Sequence, residues 1–151
     1  MNDVLKKIGE IGIIPVVVLN DAKDAAPLAK ALIEGGLPCA EVTFRTAAAE
    51  ESIRIMSTEY PELFLGAGTV LTIEQANRAI AAGAKFIVAP GLNPEIVQYC
   101  INRGVPVCPA PARLPMWREL FPWAWTVSSS SPQSLQAAFP SSRPWQQPMS
   151  I

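Results

Sequence analysis

Short runs of apolar and β-branched residues recur along residues 13–109 at intervals of about 18–26 residues, each followed by a stretch of helical periodicity. No other feature restricts the fold so much. A strand that is followed by a helix and then by another strand has to pair in parallel through a right-handed crossover. The predicted strands are Ile13–Leu19 (IIPVVVL), Cys39–Arg45 (CAEVTFR), Leu63–Val70 (LFLGAGTV), Phe86–Pro90 (FIVAP) and Val105–Pro109 (VPVCP). The first is a near-continuous apolar run, as expected of a strand covered on both faces.

The intervening helices carry their own punctuation. Asn20 or Asp21 can cap a helix over Ala22–Glu34, with Leu28, Leu32 and Ile33 inward, and Gly35-Gly36 ends it. Ala48–Glu59 follows with Ile53 and Met56 as its buried stripe. Thr72 stands as N-cap of Ile73–Ala82, with Gln75 in the reciprocal capping-box position. Pro94–Arg103 opens with proline in its first turn. Five parallel strands linked in this way begin either a doubly wound sheet or a (β/α)8 barrel, and the pattern alone does not choose.

Composition removes several function classes. The chain has 151 residues, about one domain's worth, with a formal net charge of −1, so neither a nucleic-acid footprint nor an acidic tail is present. Its longest uncharged apolar run, Ile11–Leu19, contains Pro15 and is too short to span a bilayer. The start MNDVLKKIGE has an acid at Asp3 and no long apolar core, unlike a secretory leader. Cys39, Cys100 and Cys108 lack metal or redox spacing and read as buried thiols of a reducing cytoplasm. The chain contains no histidine, which argues against a Ser-His triad and most zinc or iron sites.

Strand two carries the most chemistry. Glu41, Thr43 and Arg45 alternate with Val42 and Phe44, which puts three polar groups on one face. Buried charge is poor core material unless it is paired. The set is therefore either a structural Glu41–Arg45 ion pair or a general base beside a carboxylate-binding arginine. At the end of strand three, GAGTV (Gly66–Val70) permits close backbone approach and offers the Thr69 hydroxyl. APG (Ala89–Gly91) closes strand four with Pro90 and a turn.

Taken together, IIPVVV, EVTFRT, GAGTVLT and AGAKFIVAPGLNPEIV, in this order, resemble the 2-keto-3-deoxy-6-phosphogluconate (KDPG) and 4-hydroxy-2-oxoglutarate (KHG) aldolase family. The likeness covers residues 1–109. It implies an α/β fold of the (β/α)8 TIM-barrel type, incomplete here, with about four βα units and a fifth strand. It also implies a homotrimeric, cytoplasmic lyase that splits a keto-deoxy sugar acid into pyruvate and glyceraldehyde 3-phosphate. As a class I aldolase such an enzyme uses a lysine Schiff base and no cofactor or metal. Carried over by motif, Glu41 resembles the proton-transferring carboxylate, Arg45 the binder of the substrate carboxylate, and Thr69 and Pro90 the pocket lining. The phosphogalactonate aldolase activity is the nearest alternative. A non-catalytic module that binds pyruvate or mediates subunit interaction is the alternative of another class.

The resemblance fails where the nucleophile is due. The family's sixth-strand motif, of the form VKFFPAE, and its later glycine-rich phosphate loops are missing, and the only lysines are Lys6, Lys7, Lys23, Lys30 and Lys85. Lys85 opens strand four, at the end of the barrel away from the chemistry. Catalysis by this chain is therefore expected to be absent or nearly so. Residues 110–151 form a separate segment that holds all four tryptophans, with seven prolines, eight serines and neither glycine nor lysine. Its composition fits an out-of-frame reading of the family's C-terminal part. Codons permitted for Trp123–Gln133, read from their third base, spell GLDRVKFFPAE, with the lysine codon straddling Ser128 and Ser129.

Overall fold

The computed structural model describes residues 3–109, whose elements run α1 (Asp3–Ile11), β1 (Val16–Val17), a 3-10 turn (Ala22–Asp24), α2 (Ala25–Glu34), β2 (Cys39–Thr43), α3 (Ala49–Glu59), β3 (Phe64–Gly68), α4 (Ile73–Ala81), β4 (Phe86–Ala89), α5 (Pro94–Asn102) and β5 (Val107–Pro109). The five strands pair in parallel in the order β1-β2-β3-β4-β5. A doubly wound sheet reverses its strand order at a switch point. This sheet advances one strand at a time, as a barrel wall does. The segment 110–151, and with it the out-of-frame expectation, lies outside the described residues.

One face of the sheet packs on the helices. Ala40 and Val42 of β2, Leu65 and Ala67 of β3 and Ile87 of β4 join Ala29, Ile53, Met56, Ala76, Ala79 and Ile96 in the main core. The opposite face holds a smaller cluster, made by the first residues of β2, β3 and β4. These are Cys39, Phe64 and Phe86, against which Val4, Ile8 and Ile11 of α1 pack. The Phe64 and Phe86 rings stack at 5.2 Å. Helix α1 thus covers the N-terminal end of the inner face. The sequence reading had not assigned this helix.

Local expectations were met with some shifts of boundary. Asp21, rather than Asn20, provides the cap after β1, its carboxylate accepting from Lys23 N at 3.0 Å. Thr72 Oγ1 accepts from Gln75 N at 3.1 Å, while Gln75 Oε1 reaches back to Leu71 N at 2.8 Å, one residue before the cap. The first strand is the clearest departure. Only Val16–Val17 pair, and Val16 and Val18 are 61% and 47% exposed. β1 borders the sheet among the described residues, so its side chains lack the second neighbour that a continuous apolar run would have led one to expect. Among the described residues no helix is long and apolar enough to cross a membrane.

Candidate active site

Arg45, Thr69 and Pro90 follow the last residues of β2, β3 and β4, so the structure brings them to the C-terminal end of three adjacent strands. Strand β2 ends at Thr43, which places Phe44 and Arg45 in a turn rather than in the strand. Two bonds hold this turn. Phe44 N donates to Gly68 O at 2.7 Å, and Thr46 Oγ1 donates to Leu19 O. Arg45 is therefore exposed above the sheet, and its Nε donates to Thr69 Oγ1 at 3.2 Å.

Thr69 has φ +56°, a left-handed conformation that a β-branched residue adopts only under constraint. Such strain is characteristic of sites where a side chain has to be aimed. Here it turns the Thr69 hydroxyl toward the guanidinium. Pro90 is exposed at the same end.

Glu41 is half-buried in the middle of β2, level with Val16 on one side and Gly66 on the other. Its side chain leans toward the C-terminal end of the sheet and lies over Gly68. A Cβ built on Gly68 would sit 2.6 Å from Glu41 Cδ and 2.9 Å from Cγ. Burial raises the carboxyl's pKa above its ordinary value, and the Arg45 charge opposes part of that rise. Among the described residues no salt bridge joins the two, so the closed structural ion pair does not form. A carboxyl lifted in this way holds its proton more readily than a solvated one, the direction a proton-transferring group needs.

Thr43, the third polar residue of the alternation, is taken up by the fold. It is fully buried, and its Oγ1 donates to Val17 O at 3.1 Å, tying β2 to β1. The hydroxyl is committed to the fold.

Cys108 had not been singled out as a site residue. On β5 it pairs with Val88, is half-buried rather than buried like Cys39 and Cys100, and lies within the field of Glu41. Burial pushes its thiol pKa up, and the Glu41 charge adds to that. Only its place on an inward-facing strand position hinted at this from the sequence.

The lysines stand elsewhere. Lys85 lines a cavity of about 210 Å³ together with Asp3, Lys7, Glu62 and Phe64 at the N-terminal end. Lys7 Nζ lies 5.0 Å from the centre of the Phe64 ring. Lys6 and Lys30 pair with Glu10 and Glu34 on exposed helix faces. Lys23 follows β1 but is held by Asp21 at 2.9 Å, a partner that raises its pKa. A Schiff-base amine needs its pKa lowered instead.

Comparison with known proteins places the fold in a family. The profile of the family described as KDPG and KHG aldolase matches residues 4–114. The 2-dehydro-3-deoxy-phosphogluconate aldolase of Treponema pallidum is 50% identical over 109 residues, which is 72% of this chain and 52% of that protein. The KHG/KDPG aldolase of Escherichia coli K12 is 39% identical over 97 residues, covering 64% of this chain and 46% of its own length. Among solved structures, the 2-keto-3-deoxy-6-phosphogluconate aldolase of Zymomonas mobilis with 3-phosphoglycerate superposes with a TM-score of 0.76 at 35% identity, over 82% of this chain and 59% of that one. The KDPG aldolase of Legionella pneumophila, with pyruvate captured as a covalent carbinolamine, gives 0.71 at 31% identity, over 84% and 66%. The chain spans about half the length of the curated relatives it matches. On its profile, its identity to these relatives and its parallel sheet, the chain belongs to the KDPG and KHG aldolase family.

Proposed function

We propose that residues 1–109 carry the keto-acid side of a class I aldolase site acting on a 2-keto-3-deoxy-6-phospho sugar acid and on pyruvate. Arg45, steadied by Thr69, binds the substrate carboxylate, Glu41 moves the proton at the carbon next to the carbonyl, and Pro90 lines the pocket. The observation that carries this reading is the half-buried Glu41 carboxyl over Gly68, with the Arg45–Thr69 pair above it at the strand ends. A solved relative named as holding pyruvate in a covalent carbinolamine supports pyruvate as the ligand class.

The same reading leaves this chain, as written, without turnover. Each of its five lysines is at the wrong end of the sheet, on an outer helix face, or held protonated by a carboxylate. Residues 110–151 are the family's C-terminal part out of frame, and the intact protein is a cytoplasmic homotrimer. Incubation with pyruvate and borohydride, followed by mass spectrometry, should leave no reduced adduct. A specific adduct on any of the five lysines would sink the reading. Resequencing across the codons for Cys108–Ala110 tests the tail, and a reproducible frame with no nearby indel would remove that account. Restoring the frame by one base should return adduct formation and aldol cleavage together.

A further inference from the structure

Gly66 and Gly68 occupy two fully buried positions in the central strand β3, where glycine is normally a poor choice. It packs nothing and gives up more chain entropy on folding than any other residue. Neither residue has a positive φ, so the backbone conformation does not call for glycine at either place. The reason is space. A Cβ on Gly66 would enter the Phe86 ring, whose Cδ2 would lie 2.6 Å away. A Cβ on Gly68 would enter the Glu41 carboxyl group.

The two neighbours arrive from opposite sides. Phe86 is level with Gly66 across the β3–β4 pairing, and its ring, stacked on Phe64, fills the gap that Gly66 leaves. Glu41 is level with Gly66 across the β2–β3 pairing but leans two residues further on, to Gly68. The apolar ring and the carboxyl therefore sit side by side along one bare ridge of backbone.

We propose that Gly68 is a positioning residue for Glu41: its missing side chain is the seat that the carboxyl occupies, with Gly66 seating the Phe86 ring that walls off the N-terminal side. This rests on Glu41 being the proton-transferring group of the proposed function. In this arrangement β3 contributes no chemical group of its own to Glu41. It contributes an absence of atoms, which turns the carboxyl away from solvent and toward the strand ends where Arg45 and Thr69 meet. A larger residue at position 68 closes the seat. The way left open is outward past Val16, which is 61% exposed.

The full chain, labelled with ¹³C at the glutamate carboxyl carbons, tests this directly. The Glu41 signal is identified by its loss in Glu41→Gln. In Gly68→Ala its titration midpoint should fall toward the ordinary carboxyl value of 4.5. An unchanged midpoint would overturn the proposal. Unfolding in urea supplies an arm that does not depend on the titration. Gly68→Ala should lower the transition midpoint in the parent chain and leave it unchanged in a Glu41→Ala background, where nothing occupies the seat. An equal loss in both backgrounds would show that Gly68 is glycine for a reason unconnected with Glu41, and would overturn the proposal as well. Calorimetry with pyruvate keeps the underlying reading separate. If the parent chain binds no pyruvate while both Glu41 effects appear, the positioning stands and the keto-acid assignment falls.

Discussion

The two ends of the inner sheet face share strands β2, β3 and β4, yet they solve opposite problems. At the N-terminal end, Cys39, Phe64 and Phe86 are buried beneath Val4, Ile8 and Ile11, and the charged groups there, Lys7 and Lys85, stand around the rim. At the C-terminal end a carboxylate, a guanidinium and a thiol remain partly open to solvent. Two residues along each strand separate one regime from the other. Barrels divide the work of stability and chemistry between their two ends in this way, and here the division falls within single strands. Phe86 and Pro90 of one segment, or Cys39 and Arg45 of another, belong to different halves of the design.

The sharpest way to break that comparison is to substitute one residue in each half. In a chain with its frame restored, Glu41→Gln should slow aldol cleavage by roughly 10²–10⁴-fold, the usual loss for a positioned general base. Its pyruvate affinity should change little, because the carboxylate of pyruvate is assigned to Arg45. Steady-state kinetics beside calorimetry would check this, and a loss confined to binding would reassign Glu41. Phe86→Ala should do the reverse in the chain as it is. The residue is 1% exposed, and emptying such a site costs about 3–5 kcal/mol. Urea unfolding reads that loss, and a cost under about 1 kcal/mol would mean that the N-terminal cluster is not the structural half.

How far the sequence disclosed these halves follows from what each kind of signal measures. Strand and helix order was legible, because period-two and period-3.6 patterns report burial directly and Thr72, Pro94 and Gly35-Gly36 mark the ends. Barrel against doubly wound sheet was not legible from the pattern, since strand order is a matter of long-range pairing. Helix α1 was missed because residues 1–10 were weighed only as a leader and their apolar stripe, Val4, Ile8 and Ile11, was not followed. Glu41 and Arg45 stood out as candidates because charge is conspicuous inside an apolar alternation. The commitment of the Thr43 hydroxyl was not legible: a strand pattern assigns a face, and cannot tell that the hydroxyl is donated to Val17 O. GAGTV announced a close approach but not by which groups, because what enters a glycine's space comes from neighbouring strands.

A smaller effect separates the two ends by pH. Burial raises the folded-state pKa of Glu41 above its ordinary 4.5. Between 4.5 and the folded value, the folded chain therefore holds more protons than the unfolded one. The contribution of Glu41 to stability falls as pH rises through that window, and is at its least favourable at neutral pH. Glu41→Gln carries no titrating group at this position, so it should unfold at a higher urea concentration than the parent chain at pH 7. The advantage should shrink as pH falls through that window and be gone below about 4.5. Phe86→Ala, which removes no titrating group, should lose stability by a similar amount across that range. A Glu41→Gln advantage that grows in acid would reverse the sign and place the carboxyl in a stabilising ion pair.

The smallest effect concerns Cys108, the thiol that faces this carboxyl. Alkylation requires the thiolate, and the thiolate fraction at a given pH falls as the thiol pKa rises. Cys39 and Cys100 are buried, and burial pushes Cys100 up to about 11, so both should remain unmodified in the folded chain. Cys108 is half-buried and reachable, but its thiolate is opposed by burial first and by the Glu41 charge second. At pH 8 it should therefore react with iodoacetamide more slowly than a free cysteine. Removing the second cause isolates it. In Glu41→Gln the Cys108 thiol loses the neighbouring negative charge, its pKa falls, and its alkylation at pH 8 should speed up while Cys39 and Cys100 stay silent. The rate in each chain, followed residue by residue in the mass spectrometer, is the measure. Because burial is the larger cause and persists, the acceleration should be modest, and the gap between the chains should narrow as pH approaches the thiol pKa. Equal rates at pH 8 would mean that Glu41 and Cys108 do not share one field at the open end of the sheet, and that end would then lose its description as a single electrostatic site.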